Sequence, residues 1–415
     1  MKSRRVVITG MGVVSVLGTG LKPFWEGLLA GRSGIRRITQ FDASTLPCQI
    51  AGEVPDFNPE AFMGRKEARR VPRSAQMAFA ATCQAVSDAN LPRRLPNPER
   101  AAIAFGTAIG GLERIPEGIT ILRSQGYHRV NPFIVPSAMP NTSAFLISRE
   151  FQCLGPTITI TTACATGTQA IGEGTEIIRR DAADLAIVGG TEALIQDYTI
   201  GGFCAMRALP TSYNDRPEAA SRPFDKNREG FVCSEGAAAL ILEELDHALS
   251  RGVHIYAEVA GHASSSDGFH IVAPDPTAAG PIRAMRWALL DADLAPTDID
   301  YINAHGTSTL LNDITETKAI KSVFDEHAYK LAISSNKSML GHAMGASGAM
   351  EAISSTLTLS DGWIPPTINF ETQDPECDLD YVPNKARQQS IQAVLSNSFG
   401  FGGQNACLVL KRYEE

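Results

Sequence analysis

Three segments of this sequence hold residue types able to do bond-making chemistry. In Thr161-Thr162-Ala163-Cys164-Ala165-Thr166-Gly167 a cysteine stands where a β-branched run gives way to a stretch rich in Gly and Ala. A strand-to-helix turn there would set the sulfur at a helix N-terminus, beside free N–H groups and partial positive charge. Both lower a thiol pKa and favour the thiolate, the nucleophilic form. The competing reading is a buried structural cysteine, the usual fate of this residue. Asn303-Ala304-His305-Gly306-Thr307-Ser308-Thr309 and Asn336-Lys337-Ser338-Met339-Leu340-Gly341-His342 each follow an apolar run and each carry a histidine beside glycine. One thiol and two imidazoles would supply a nucleophile and two groups that donate hydrogen bonds or exchange protons. A metal centre is the rival, disfavoured because His128, His247, His254, His262, His270 and His327 show no ligand spacing. A fourth segment, Asn397 to Asn405, is Gly-rich with Phe399 and Phe401, and its backbone amides are candidates for an oxyanion site. The bland alternative is a tight turn. Gly10-Met11-Gly12-Val13-Val14-Ser15 imitates a dinucleotide fingerprint but has Ser at the third glycine, and is rejected as one.

The elements that must position these residues are short. Val6–Thr9, Ala102–Phe105, Thr157–Thr161, Leu185–Val188, Ala238–Leu242, Tyr256–Gly261, Tyr301–Asn303, Leu331–Ser334 and Cys407–Leu410 read as strands buried on both faces. Ser74–Asn90, Thr168–Arg180, Pro281–Asp291 and Gly348–Leu359 read as helices between them. The alternation argues an α/β architecture. Thr157–Asp184 and Leu331–Asp361 share one layout: strand, polar turn, Gly- and Ala-rich helix, acidic turn. Each is followed by a further strand ending in glycines, which suggests two related halves, 1–255 and 256–415.

Composition bounds the rest. The 415 residues are 44% hydrophobic and 20% charged with net charge −8, so the chain is neither disordered nor advertises a basic nucleic-acid face. No run reaches the ~18 apolar residues of a membrane helix. Lys2, Arg4 and Arg5 precede an apolar stretch, but Gly10 and Gly12 break it, so a first strand running into a Gly turn is expected rather than a signal peptide. The eight cysteines are scattered without a CxxC pair, which points to a reducing, cytoplasmic setting without a disulfide framework.

Taken together, the motifs TACATG, NAHGTST, NKSMLGH and SNSFGFGG, with Ser221-Arg222-Pro223-Phe224-Asp225-Lys226, resemble the β-ketoacyl-acyl-carrier-protein synthases, most closely the type II class (KAS II). The resemblance spans nearly the whole chain. It implies a thiolase-like fold, two duplicated α/β halves in a five-layered αβαβα arrangement, normally a homodimer. It implies an acyltransferase of fatty-acid biosynthesis, in which Cys164 takes an acyl chain from acyl-carrier protein. His305 and His342 then favour decarboxylation of a malonyl thioester, whose carbanion lengthens the chain by two carbons. The resemblance also assigns an oxyanion hole to the amides of Cys164 and Phe401, and the role of gate to Phe401. Lys337 and Glu351 are its conserved active-site pair. Thr307 and Thr309 meet the phosphopantetheine arm, and Ile109 sets pocket depth. No cofactor beyond the carrier's phosphopantetheine arm, and no metal, is implied.

Leu310 stands where the family usually has Pro, Asn336 and Leu340 where Thr is usual, and Gln404 where Thr or His is common. None removes a catalytic group. They bear on acyl-chain preference and on a specialised polyketide or polyene pathway as the alternative. A non-catalytic chain-length partner subunit would lack Cys164, and a degradative thiolase would carry a cysteine in the SNSFGFGG loop, which has none. An acidic carrier protein needs a local basic patch. The run Arg65-Lys66-Glu67-Ala68-Arg69-Arg70 is the best in the chain, and Lys66, Arg69, Arg70, Arg129 and Arg207 match the family's docking positions, with Pro72 a departure just after the run. A solvated helix face is the ordinary reading of such a run.

Overall fold

The computed structural model describes residues 4–414; the Lys2 of the N-terminal reading lies outside them. Ten strands carry the architecture: Val6–Ser15 (β1), Ala101–Gly106 (β2), Thr157–Ile158 (β3), Leu185–Glu192 (β4), Gly236–Glu244 (β5), Ala257–Ser266 (β6), Tyr301–Asn303 (β7), Ala332–Ser334 (β8), Ala393–Gly400 (β9) and Gln404–Lys411 (β10). Their order across the sheet is β8-β7-β9-β10-β6-β1-β5-β4-β2-β3. Outward from the antiparallel β1–β6 junction, both halves follow one path. β1 leads to β5, β4, β2 and β3, and β6 leads to β10, β9, β7 and β8. The sense also repeats: two antiparallel steps, then parallel pairing of β4–β2–β3 and of β9–β7–β8. The repeat suspected from two segments is thus a repeat of five-strand topology.

Five helices complete the layers: Arg73–Asp88 (α1), Thr166–Arg179 (α2), Ala279–Asp291 (α3), Leu310–Phe324 (α4) and Ser347–Asp361 (α5). α1 covers β1 and β5 on one outer side, while α3, with α4 against it, covers β6 and β10 on the other. α2 and α5 pack on each other in the middle and touch strands of both halves. The sequence is α, β, α, β, α, with Met11, Val13, Leu240 and Ile353 in the largest apolar cluster. α2 is glycine-rich because it is central: a Cβ on Gly167 would lie 2.6 Å from the backbone nitrogen of Ala349 on α5.

Two sequence expectations need correcting. β1 does not end in a Gly turn at Thr9 but continues through Gly10 and Gly12 to Ser15. Those glycines lie under α1, where a Cβ would run into the carbonyl oxygens of Ala85 and Ala81. Glycine here buys close approach of helix to strand, not a turn. β3 is also shorter than the expected Thr157–Thr161. It is the sheet edge, paired only to β2; the regular ladder ends at Ile158, and beyond it one bond remains, from the Thr107 amide to Ile160 O at 3.1 Å. All eight cysteines are free thiols, and among the described residues no helix is long and apolar enough to cross a membrane.

Candidate active site

Four connections at the ends of parallel strands bring the motifs together. After β3 the chain makes a sharp elbow: Ala163 sits at φ +49°, and α2 starts at Thr166. A positive φ at a residue with a side chain is strained and persists only when its surroundings hold it. One such hold is the Thr166 hydroxyl, which accepts from the Thr162 amide at 2.9 Å. Cys164, at the turn, is buried.

His305 follows β7. Its amide and that of Gly306 both donate to the buried Glu316 carboxylate on α4, each at 2.8 Å. Gly306 is required at φ +36°, where a Cβ would sit 2.6 Å from Ser335 Cβ. His342 follows β8 and a one-turn helix. Its amide donates to Val232 O at 2.7 Å, and Ser347 Oγ lies 3.0 Å from its Nδ1. Its Nε2 has no protein partner. The two imidazoles cross edge-on with centroids 5.5 Å apart, and one ligating atom from each, with Cys164 Sγ, all lie within 4.8 Å of one another.

Lys337 is buried behind His305. Its ammonium donates to Glu351 Oε1 in a short ion pair and lies 3.4 Å from His305 Nδ1. An ammonium only donates, so Nδ1 accepts, and the neutral ring carries its proton on Nε2. Burial first, and the Lys337 charge second, hold both histidines well below the usual imidazole range. Burial likewise lifts Glu351, opposed by Lys337.

The thiol corrects the sequence reading. Burial pushes Cys164 up to about 11, although the Phe401 amide and the Lys337 charge pull the other way. The helix N-terminus does not make a resting thiolate, because desolvation of a buried sulfur outweighs it. The site instead holds a thiol beside two neutral imidazoles. The backbone amides of Phe401 and of Cys164 itself favour charge on the sulfur, against its burial. Gly400 permits the two segments to approach, since a Cβ there would lie 3.0 Å from Cys164 N and 2.9 Å from Thr162 O.

A cavity of about 320 Å³ opens over these groups, lined by Cys164, His305, His342, Phe401, Thr307 and Thr309 among others. The two threonine hydroxyls are 2.9 Å apart. Arg207 and Leu310 also line it. Ile109 does not, and is 37% exposed. Asn336 and Leu340, the departures beside Lys337, are buried, and Gln404 is half-buried at the start of β10. Lys66, Arg69 and Arg70 line a separate open groove with Arg65 and Phe133, and the Arg70 guanidinium lies 5.2 Å from the Phe133 ring centre. The basic run is helical only over Arg65–Ala68, and Pro72, in extended backbone, separates it from α1. Arg129 is exposed on its own one-turn helix, outside both cavities.

Glu316 and Ser347 escaped sequence reasoning, whereas the aromatic Phe399 reads as part of the Gly-rich segment. Phe231 meets His342 edge-on at 5.6 Å and Phe399 meets His305 at 5.9 Å. Glu316 and Ser347 hold the two histidine segments. Ser347 lies five residues after His342, a local signal that was there to use. Glu316 had none, being one acid on a helix like any other.

Models of the beta-ketoacyl synthase family match the chain twice, the N-terminal domain over residues 3–248 and the C-terminal domain over 256–371. A 3-oxoacyl-[acyl-carrier-protein] synthase 2 of Coxiella burnetii is 48% identical over 412 residues, covering 99% of both proteins. Among solved structures, the ishigamide ketosynthase/chain length factor superposes with a TM-score of 0.93 at 39% identity, over 99% of this chain and 100% of that one. A type II PKS acyl-carrier protein in complex with its ketosynthase, AntDE:AntF, matches at 0.91 and 34%, with full coverage of both chains. On these matches, and with the Cys–His–His site in place, the chain belongs to the β-ketoacyl synthase family.

Proposed function

We propose that this chain is a condensing acyltransferase, a 3-oxoacyl-[acyl-carrier-protein] synthase that elongates acyl chains by two carbons in fatty-acid biosynthesis. The observation that carries the reading is the convergence in one cavity of Cys164 with two neutral histidines and two amides that favour charge on its sulfur. A buried thiol at about 11 needs a base at the moment of attack; His305 carries its proton on Nε2, so that base is His342, whose Nε2 has no protein partner and whose Nδ1 faces the Ser347 hydroxyl, a group that can accept or donate and so leaves both tautomers open. Acyl transfer forms the Cys164 thioester and hands the thiol proton to the departing carrier sulfur. Malonyl thioester then enters. His305 and His342 donate Nε2–H to its thioester oxygen as CO2 leaves, and the enolate carbon attacks the acyl-Cys carbonyl. The amides of Cys164 and Phe401 stabilise the oxyanion, and Phe401 gates the acyl pocket; Ile109 sets its depth from outside the cavity described above, one residue on from Ala108, which packs in the apolar cluster of Cys164 and Phe401. Thr307 and Thr309 hold the pantetheine arm, and the Lys337–Glu351 pair fixes His305.

The carrier docks on Lys66, Arg69, Arg70, Arg129 and Arg207. Only its phosphopantetheine arm is needed, without a metal, since the Lys337 ammonium beside His305 would repel a cation. We further propose a homodimer, a cytoplasmic setting, no nucleic-acid or membrane partner, and halves 1–255 and 256–415, the division falling between β5 and β6. Relatives of the same name at full length support the fatty-acid reading. The likeness to the ketosynthase in complex with a type II PKS acyl-carrier protein favours a polyketide or polyene route as the second reading. Incubation with malonyl-carrier protein and acyl-carrier proteins of graded length, read by mass spectrometry, tests both. Saturated-primer elongation supports the first, preference for unsaturated primers the second, and no condensation with either rejects both. His305→Ala and His342→Ala should lower condensation on the order of 10²–10³ while affecting acylation of Cys164 less.

A further inference from the structure

Thr307 and Thr309 line the cavity, and the turn that carries their hydroxyls is strained. Ser308 between them sits at φ +69°, in the left-handed region that disfavours a side chain. Thr309 is the N-cap of α4, the position from which a threonine hydroxyl ordinarily accepts from an amide of the first turn. It makes no such bond and lies 2.9 Å from Thr307 Oγ1 instead. The first helical bond, from Asp313 N to Thr309 O, is stretched to 3.4 Å. Leu310, at the first position of the helix, lacks the fixed φ that proline brings there. Neither the turn nor the start of the helix accounts for where the two hydroxyls are held.

The hold comes from residues 221–234, the segment that precedes β5. The Ser221 hydroxyl donates to Lys337 O at 2.6 Å, and the Arg222 amide donates to Ser308 Oγ at 3.0 Å. At the other end Val232 O accepts from the His342 amide, and the Ser234 amide donates to His342 O. Between these points stands Arg228, its guanidinium fully buried. Nε donates to Thr309 O at 3.1 Å and Nη2 to Leu310 O at 3.0 Å. Nη1 donates to Asp225 O at 2.9 Å and to the Asp374 carboxylate at 2.7 Å. Asp313 Oδ2, in the first turn of α4, lies 3.5 Å from Nε and balances the charge. A buried ion pair is weak support for stability, because desolvation offsets the attraction. A cation at the start of a helix also opposes the helix dipole. What the rigid planar fork supplies is geometry: it grips two successive carbonyls at once, which the point charge of an ammonium does not.

We propose that Arg228 is a positioning residue for the thioester substrates, one that sets the Thr307–Thr309 hydroxyl pair against the pantetheine arm by gripping the Thr309 and Leu310 carbonyls. Arg228 is not among the residues that line the cavity, so it acts through the turn. The inference rests on the reading above in which these threonines hold the arm.

The test uses the full chain. Arg228→Lys keeps the charge and gives up the fork. Against pre-acylated protein, KM for malonyl-carrier protein and for malonyl-pantetheine should both rise about tenfold, with kcat within about threefold of wild type, the pattern of lost uniform binding. Alkylation of Cys164 by iodoacetamide, which has no pantetheine arm, should stay within about twofold of the wild-type rate, a readout that general loosening of the site would move. Thr307→Ala/Thr309→Ala should raise KM as much, and adding Arg228→Lys should raise it by less than about twofold more, because groups that act through one another are not additive. Asp374→Ala removes the carboxylate at the partly exposed outer end of the guanidinium. It should raise KM about threefold, and it decides the matter if Arg228→Lys does not fold. An Arg228→Lys KM within about twofold of wild type overturns the proposal, as does an unmoved KM in Asp374→Ala. So does alkylation slowed as much as KM rises, or an undiminished Arg228→Lys effect in the threonine background. A threonine double variant with wild-type KM would reject the threonines as the hold on the arm, and the proposal with them.

Discussion

The two halves of the molecule build the same elbow and use it differently. Thr162-Ala163-Cys164-Ala165-Thr166-Gly167 leads into α2, and Ala343-Met344-Gly345-Ala346-Ser347-Gly348 leads into α5. In each, the second residue of the six has positive φ, Ala163 at +49° and Met344 at +43°, followed by a short 3₁₀ turn. The third residue is a thiol in one half and glycine in the other. The fifth is a hydroxyl in both. Thr166 spends it on its own elbow's amide, whereas Ser347 spends it on His342. Their surroundings differ most. Facing Cys164 are Gly400 and the free amide of Phe401. Facing Gly345 is Glu192, whose carboxylate accepts from the amides of Gly345 and Ala108 at 3.2 and 2.7 Å. The strained turn is thus a backbone device that both halves possess. The proposed nucleophile stands where the neighbouring amides are left open, and none stands where a carboxylate consumes them.

The largest expected effect breaks the comparison outright. Cys164→Ala should abolish the acyl adduct seen by intact mass, and Gly345→Cys in that background should not restore it. A Cβ on Gly345 would lie 2.5 Å from Ala108 N and 2.9 Å from Glu192 Oε2, so the second elbow rejects a side chain. Overpacking of this kind costs about 1–3 kcal/mol, visible as a lowered Tm. An acyl adduct on the relocated cysteine would mean the elbow alone suffices.

Next in size is Gly400→Ala. The methyl would enter the space between Thr162 O and the Cys164 amide and spoil the paired donors on the sulfur. Loss of one oxyanion donor costs on the order of 10²–10³ in kcat. Turnover within threefold of wild type would mean these amides do not serve the transition state.

What the sequence made legible follows from the range of the forces involved. Alternating apolar runs and small-residue helices revealed the α/β layering and the internal repeat, and the position of Cys164 between them revealed the elbow. Both are local. The same locality misjudged Gly10 and Gly12, whose reason for being glycine is a helix more than 60 residues away in sequence. It also misjudged the thiol. A helix N-terminus can be read from neighbours, but the desolvation that wins at Cys164 comes from the whole fold around it. Glu192 and Glu316 were invisible for that reason, being acids whose partners are amides of distant segments.

A smaller effect separates the two hydroxyls. Ser347→Ala frees the His342 ring and should cost about tenfold in kcat, ~1.4 kcal/mol of lost orientation, with Tm nearly unchanged. Thr166→Val strands the Thr162 amide and should cost about 1–2 kcal/mol of stability, lowering Tm by a few degrees. If both variants lost only stability, the two hydroxyls would be equivalent and the functional asymmetry would lie in the cysteine alone.

The smallest effect belongs to the silent elbow and appears only as a slope against pH. Burial lifts Glu192 to about 7, partly offset by the amides and the Thr107 hydroxyl that it accepts from. An unfolded glutamate ionises near 4.5, so between about 4.5 and 7 the folded protein holds a proton that the unfolded chain has released. Stability therefore falls as pH rises through that window, because the slope follows protons bound unfolded minus folded. Glu316 and Glu113, also lifted to about 7 by burial, tilt the same way. The observable is thus the difference between wild type and Glu192→Gln. Glutamine keeps an oxygen for the Gly345 and Ala108 amides and turns its NH2 to Thr107, and it does not titrate. Thermal melts from pH 4.5 to 7.5 should show wild type losing a few degrees more than the variant, with kcat little changed at pH 7 because Glu192 touches no group of the Cys–His–His site directly. Parallel Tm curves would mean Glu192 is ionised throughout, held by its amides strongly enough to cancel its burial.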